Sequence, residues 1–555
     1  MSSERLIYLP LGGAGEIGMN AYVYGYGKPG KERLILVDLG VAFPDMDTTP
    51  GVDLIMPDMT WLQERADRLE GIIITHAHED HIGGVAHMYA SLNVPVFART
   101  FTANIARRKM EEHGHDPAIV QTVQSWPETM PLGPFTVGVV PMSHSIPESG
   151  GLVIDSPAGR VVHTGDFKLD PDPIVGEGFD PAVWEDIAKN GVQALMCDST
   201  NVFSRHPGRS ESELGPEITR LVGEAKGMVA ATTFASNVAR VKTLAEAGAR
   251  AGRSVVLLGR AMRRMVDAAV ETGVLTDFPA CISPEDATSV PRGNLMLIVT
   301  GSQGERRAAT AQLARGKYRG LTMKEGDLFL FSSKTIPGNE RGVIGIINQF
   351  SEKGIDVVDD SSGLYHVSGH ANRPDLEAIH DLIKPKMLVP MHGEHRHLRE
   401  HAKLGEAKGI ASALAVNGTM LDLTGDRPKV ADYVETGRTY LDGSVKIGAL
   451  DGVVRDRIRM ALNGHSVISV ILDEEDEPLG EPWVDLKGLP ETGTSKAALA
   501  EVMEEDLNQF LMRADAKTLR DDDKLEDGLR RIARQSALSE IGRKPEVTVI
   551  ISRMR

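Results

Sequence analysis

The stretch that most constrains this chain is 72–84, IIITHAHEDHIGG. Ile72, Ile73 and Ile74 read as a buried strand that ends at Thr75. His76, His78, Glu79, Asp80 and His81 follow, closed by Gly83 and Gly84. Three imidazoles and two carboxylates stand within six residues at the end of an apolar strand. Neutral imidazole and carboxylate suit zinc or manganese, and no thiolate is present to close a structural site. His76 and His78 stand two apart, so on an extended segment they point the same way. Asp80 and His81, past the turn, are placed to reach a second ion beside the first. A solvated polar loop would give no reason for this density of donors, so H-x-H-x-D-H is read as a metal site.

The chain has 555 residues, enough for three or four domains. Its longest apolar runs are strand-length, so no membrane span is expected. The opening MSSERLIYLP lacks the basic region and long apolar core of a secretory signal. Cys197 and Cys281 lie in apolar contexts and read as buried thiols in a reducing cytoplasm. A net charge of −17 argues against a protein that coats DNA by neutralising phosphates. It leaves room for a nucleic-acid enzyme with a local basic groove.

Residues 5–26 predict two antiparallel strands around Gly13-Ala14-Gly15-Glu16-Ile17-Gly18. The letters match a dinucleotide fingerprint, which requires a helix after the glycines. MNAYVYGYG follows instead, so this is read as a glycine turn in a hairpin. Strand 34–37 ends at Asp38, where a carboxylate can orient a metal-bound histidine from outside the ligand set. Asp45, Asp47 and Asp53 lie in a Pro/Asp-rich loop read as solvated, although their oxygens would suit a hard cation. A helix is expected over 61–69, another over 84–92, a strand over 94–98 and a helix over 101–112, the α/β alternation. His144, Asp166 and Asp198 each fall just past a strand end, as His76 does.

From about 210 a separate open parallel sheet is expected, with strands at 228–232, 255–258 and 295–299 and ending at 357–358. His370 and His392 follow, with a helix over 377–383 between them. Strands 466–472 and 547–552 around helices 496–513 and 525–539 predict a small C-terminal α+β domain for interaction or oligomerisation. The acidic run 473–477 reads as a solvated turn.

A consistent ligand set emerges: His76, His78 and His144 for one ion, Asp80, His81 and His392 for the other, and Asp166 as a bridge. A carboxylate bridge holds two ions ~3.5–4 Å apart, the separation suited to in-line phosphoryl displacement. His395 and His397 read as exposed residues of the following helix. His370 follows Ser368-Gly369, where backbone N–H groups suit a phosphate, although alone it reads equally as a satisfied structural histidine.

These residues, namely Asp38, the HAHEDH block, His144, Asp166, Asp198 in CDSTN, His370 in SGHA and His392 in PMHGE, resemble the metallo-β-lactamase-fold nucleases of the β-CASP group. Within that group the chain is similar to the ribonuclease J family over about 5–450, and more loosely beyond. The resemblance implies an α/β fold: an αβ/βα metallo-β-lactamase sandwich with an inserted β-CASP domain and a C-terminal α+β domain. The expected divisions are 1–209 and 363–448 for the sandwich, 210–362 for the insert, 449–465 as linker and 466–555 for the last domain. It implies RNA hydrolysis, 5′→3′ exonucleolytic with preference for a 5′-monophosphate and also endonucleolytic, with two zinc or manganese ions. His392, where DNA-processing relatives tend to carry valine, goes with RNA. Phe234, Ala235, Ser236, His366, Val367, Ser368, Gly369, His370 and Ala371 match the nucleotide-binding segments. His370 takes the role of general acid with Asp198 orienting a neighbour, and Asp80 or Asp166 takes a proton from the attacking water. Gly51, Asp53 and Asp442 match a peripheral calcium site of some relatives. The resemblance also implies a cytoplasmic homodimer or homotetramer, working with RNA-decay or ribosome-associated proteins and without a membrane. A polyadenylation-type β-CASP endonuclease and a small-ester or lactone hydrolase on the same fold stand as alternatives. A second α/β domain over the metals weighs against the latter.

Overall fold

The computed structural model describes residues 4–554. The chain forms two compact units, Met1–Ala42 with Met56–Arg438, and Phe43–Ile55 with Thr439–Arg555. In the first, two sheets face one another. One has eight strands in the order Lys429–Tyr433, Thr419–Asp422, Arg5–Gly12, Ala21–Gly27, Arg33–Val37, Leu69–Ile73, Val96–Ala98 and Val120–Thr122. The other has seven, Ala411–Ser412, Met387–Met391, Ala194–Asp198, Gly159–His163, Gly150–Ser156, Phe135–Pro141 and Thr129–Leu132. Alternate residues of each strand turn inward, so Tyr8, Tyr24, Val37 and Ile73 meet Val137, Ile154, Val161, Met196 and Val389. Each such side chain contributes about 1.5–3 kcal/mol on burial. The opposite residues of the second sheet, Val140, Val153, Val162 and Leu195, pack on Trp184 and Ile187 of helix Pro181–Ala188 and on Leu376 and Ile379 of helix Arg373–Ile383. Helix Thr100–Glu112 covers the first sheet beside Val96–Ala98 and Val120–Thr122. The layering is αβ/βα.

Arg33–Val37, Leu69–Ile73 and Val96–Ala98 run parallel, as do Gly159–His163, Ala194–Asp198 and Met387–Met391. Their carboxyl ends therefore collect along one edge of each sheet. The glycine segment is the turn of a hairpin: Arg5–Gly12 pairs antiparallel with Ala21–Gly27. A Cβ on Gly12 would lie 1.9 Å from the Met19 carbonyl oxygen, which is why glycine stands there.

Between strands Ala194–Asp198 and Met387–Met391 of the sandwich the chain builds a third sheet, of five parallel strands. Their order is Ser254–Leu258, Leu295–Val299, Val229–Thr232, Leu328–Phe331 and Asp356–Val358. Ser210 and Glu213 form a capping box where this insert begins. Arg240, fully buried, pairs with Glu211 at the entry and donates to the carbonyls of Ser332 (2.8 Å) and Tyr365 (3.4 Å), the latter at the exit.

In the second unit, strands Trp483–Lys487, His465–Leu472 and Glu546–Arg553 form a sheet. Helices Leu499–Arg513 and Asp522–Ile541 cover it through Met503, Leu507, Leu525 and Leu529.

Four expectations change. The helix expected over 61–69 is a turn of helix at Thr60–Gln63 and a 3-10 turn at Ala66–Arg68, because Leu69 is recruited into the sheet opposite Leu34. The segment 449–465 holds helix Val453–Asn463, and 439–448 forms a hairpin of the second unit. Cys281 is exposed while Cys197 is buried; Cys281 lies against the edge strand at Val255, the open side of the insert sheet. Trp483–Lys487 is an unforeseen strand, whose Asp485 and Lys487 mute the apolar alternation at an edge.

Candidate metal centre

Strand ends deliver the donors. His76 and His78 follow Leu69–Ile73, and the single helical turn Glu79–Ile82 swings Asp80 and His81 round. His144 follows Phe135–Pro141, Asp166 follows Gly159–His163, Asp198 closes Ala194–Asp198 and His392 follows Met387–Met391. The site thus joins both sheets at one edge. Asp38 and His392 hold φ values of 62° and 50°, a region that residues with a Cβ seldom enter and that recurs at functional sites. The loop after Asp38 is zipped to the turn carrying Asp80. Leu39 N–H donates to His81 O at 2.8 Å and Val41 N–H to Glu79 O at 3.0 Å. Gly40 sits between them, and a Cβ there would lie 1.6 Å from Asp80 O.

Two groups of donors lie side by side, His76 with His78 and His144, and Asp80 with His81, Asp166 and His392, and the second shares Asp166 and His392 with a further cluster that adds Asp198 and His370. His78 Nδ1 lies 3.2 Å from His76 Nε2 and 3.1 Å from His144 Nε2. Asp166 Oδ2 lies 3.2 Å from His81 Nε2 and 3.5 Å from His392 Nε2. The same oxygen is 3.9 Å from His76 Nε2 and 3.8 Å from His144 Nε2, so one carboxylate faces both groups.

The other nitrogen of every ring is tied down. Thr75 Oγ1 donates to Asp38 and accepts from His76 Nδ1 at 3.0 Å. His81 Nδ1 donates to Asp38 Oδ2 (2.7 Å) and His144 Nδ1 to Gly369 O (2.6 Å). His392 Nδ1 donates to Thr200 Oγ1 (2.8 Å), which donates to Asp198 Oδ1 (2.7 Å). His78 Nε2 donates to Ser236 Oγ at 3.1 Å. These bonds set the tautomers and turn one nitrogen of each ring inward. Converging lone pairs need a positive charge among them, and buried Asp166 Oδ1 has no hydrogen-bond partner. The donor set fits divalent cations that accept nitrogen and oxygen.

The two groups differ electrostatically. Burial holds His76 and His144 well below the usual imidazole range and His78 at about 4, so all three are neutral, the ligand form. Burial opposes charge on His81 and His392 too, but the facing carboxylates, Asp166 foremost, outweigh it. His81 is raised well above its ordinary value and His392 is pushed up to about 10. Burial would likewise raise Asp80, Asp166 and Asp198, and the imidazoles reverse this, holding all three low. The second group therefore demands positive charge.

His370 lies at the rim, its Nδ1 donating to Asp198 Oδ2 at 2.8 Å and its ring stacked on His392 at 5.6 Å. Ser368 Oγ accepts from Asn201 Nδ2 (2.7 Å) and His370 N (3.2 Å). Phe234, Ala235 and Ser236 are half-buried just beyond strand Val229–Thr232. His366 Nδ1 is 3.3 Å from Arg240 Nη1, and Val367 and Ala371 are buried. Gly51, Asp53 and Asp442 share the second unit, but Arg457 Nη2 holds Asp442 Oδ2 at 2.6 Å and Gly443 N–H holds Asp53 Oδ2 at 2.8 Å. The positive charge beside them is a guanidinium. Sequence reasoning missed Thr75, Thr200 and Asn20, whose Nδ2 lies 3.0 Å from His81 Nε2. Each adjoins a motif, and a polar residue beside a ligand block was the available signal.

Known families match the chain in succession. A beta-lactamase superfamily domain matches 42–194, a ribonuclease J beta-CASP domain 226–350, a Zn-dependent metallo-hydrolase RNA specificity domain 363–415 and a ribonuclease J C-terminal domain 452–554. Ribonuclease J of Sinorhizobium meliloti is 41% identical over 99% of this chain and 98% of its own length. The chain belongs to the ribonuclease J family. Relatives of the same name from Mycolicibacterium smegmatis and Helicobacter pylori are 36% and 30% identical over 90% and 97% of this chain, and 89% and 78% of their own. A solved structure of a protein of unknown function from Enterococcus faecalis superposes with a TM-score of 0.53 at 18% identity, covering 75% of this chain and all of that one, a likeness of fold. As a ribonuclease J family member the chain is a metal-dependent nuclease, a metallo-β-lactamase domain with a β-CASP insertion and a C-terminal domain. No helix among the described residues is long and apolar enough to cross a membrane.

Proposed function

We propose that this chain hydrolyses RNA phosphodiesters at a centre of two divalent ions, zinc or manganese, degrading RNA 5′→3′ from a 5′-monophosphate end and also cutting internally. The observation that carries the reading is the pair of inward-facing donor groups with one carboxylate, Asp166, turned to both. His76, His78 and His144 would hold one ion, Asp80, His81 and His392 the other, with Asp166 between. Bound there, the ions supply Lewis-acid polarisation of the phosphodiester and acidify water. The chain's own residues do the rest. Asp38 and Thr200 orient rings; Asp80 or Asp166 takes the proton of the attacking water. His370, with Nδ1 held by Asp198, presents its other nitrogen to the leaving oxygen as general acid. Ser236, Ser368 and the backbone of 366–371 seat the terminal phosphate, beside Phe234 and Ala235. We assign 1–42, 56–209 and 363–438 to the catalytic domain and 210–362 to its β-CASP roof. The domain at 466–555 serves assembly into a homodimer or homotetramer, and the enzyme works in cytoplasmic RNA maturation and decay.

The test is cleavage of 5′-monophosphate RNA, its 5′-triphosphate twin and matched DNA by the wild type and by Asp80→Ala/His81→Ala. Stepwise nucleotide release from monophosphate RNA, lost in the double variant, is the expected result. Internal cuts alone would remove the 5′ pocket around Ser368 while keeping the metal centre. Hydrolysis of DNA or a lactone with no cleavage of RNA would overturn the reading.

A further inference from the structure

Of the five rings turned into the centre, four are braced by groups of the sandwich: His76 by Thr75, His81 by Asp38, His144 by the Gly369 carbonyl and His392 by Thr200. His78 differs. Its Nε2 donates to Ser236 Oγ at 3.1 Å, and Ser236 lies in the insert, in the loop after strand Val229–Thr232, 158 residues along the chain. We propose that Ser236 is a positioning residue for the metal centre: its hydroxyl sets the ring orientation and tautomer of His78, so the metal site is complete only when the β-CASP insert is seated on the sandwich. This rests on the two-ion reading above and adds to it a role for Ser236 that requires no RNA.

The route from the domain junction to the ring is continuous. Ser236 O accepts from Val238 N (2.9 Å), and Asn237 caps helix Val238–Arg250 by accepting from Arg240 N at 2.9 Å. Arg240 is the buried residue clasped to Glu211 at the entry of the insert and to Tyr365 and His366 at its exit. A shift of the insert about these two connections moves Ser236, and with it the brace on His78. His78 is half-buried whereas His76 is fully buried, so it is the ring whose orientation is set least by packing. Loss of such an outer bond typically weakens metal binding about 10–100-fold. Coupling is reciprocal: whatever the insert does for the metal, the metal does for the seating of the insert.

The test uses the full chain, stripped of metal and without RNA, titrated with zinc and separately with manganese. Hydrogen exchange across 232–238 is followed with and without metal. Ser236→Ala is expected to weaken binding about tenfold, within the range for outer-shell bonds, and Ser236→Thr to restore it. Metal is expected to slow exchange across 232–238 in the wild type and in Ser236→Thr, and to leave it unchanged in Ser236→Ala. Binding by Ser236→Ala within about twofold of wild type, with the same metal-dependent protection, overturns the proposal. His76→Ala is the control for the centre itself. If that variant binds metal like the wild type, the two-ion reading fails; if it loses metal while Ser236→Ala does not, the positioning role alone fails.

Discussion

At the scale of single residues, the centre divides labour by charge rather than by residue type. His76, His78 and His144 are imidazoles made neutral by burial, while His81 and His392 face three carboxylates that draw positive charge onto them. The raised values mean that metal-free His392 keeps its proton until the pH passes about 10. Its contribution to metal-free stability is complete below the unfolded value, about 6.5, and is lost as the pH rises through the folded one. A divalent ion needs the same lone pairs, so its binding near pH 7 must expel protons, and affinity must rise with pH. Calorimetric titration with zinc in two buffers of different ionisation heat should show protons released; equal heats in both buffers would contradict this. His370 adjoins the second donor group, its Nδ1 3.9 Å from Asp166 Oδ2, but gives that nitrogen to Asp198 at 2.8 Å. His370→Ala should lower kcat about 10²–10⁴-fold at unchanged metal content. A parallel loss of metal would instead make it a ligand.

At the scale of elements, two loops at the candidate centre share one set of backbone hydrogen bonds. The segment 39–41 runs along the turn that carries Asp80 and His81, close enough that Gly40 has no room for a Cβ beside Asp80 O. Gly40→Ala must part the two segments. It should abolish metal retention through dialysis and lower Tm, whereas Gly30→Ala, at a glycine with nothing within 4 Å, should retain its metal. A Gly40→Ala protein with full metal content would show that the zipped loops do not set the site. The glycine segment 13–18 follows the same logic. What decides its conformation is the strand Ala21–Gly27 that follows it, where a nucleotide loop would require a helix.

At the scale of the whole molecule, the two compact units have separate cores, and every donor of the candidate centre lies in the first. Ligands that bind the folded state raise its stability by about 2.7 kcal/mol at a hundred times Kd. Chelation should therefore lower the melting temperature of the first unit by several degrees and leave a transition of the second, with its core of Leu507, Leu525 and Leu529, where it was. Calorimetry with and without chelator checks this; a chelator-insensitive first transition would mean that the ions are not part of the folded centre. The net charge of −17 also confines RNA attraction to local features.

The sequence by itself determined which groups are candidates for the chemistry. The HAHEDH block, and single histidines and aspartates past apolar strand ends, mark the groups that converge at the candidate centre, because strand periodicity and burial are local properties that a short window records. The parallel insert and the order of the domains were legible for the same reason. Tertiary structure decided what depends on residues far apart in the chain. Thr75, Thr200 and Asn20 look like ordinary polar neighbours until the fold sets each beside an imidazole or its carboxylate. Ser236 reads as part of a substrate segment, and the packing of the insert brings it to His78. Arg457 lies fifteen residues from Asp442, and folding of the second unit sets the two in an ion pair. Leu69 is helix-compatible in sequence and becomes a strand because Leu34 offers it a partner. Local pattern selects which groups can bind a metal; long-range packing selects which nitrogen of each ring is left to do so.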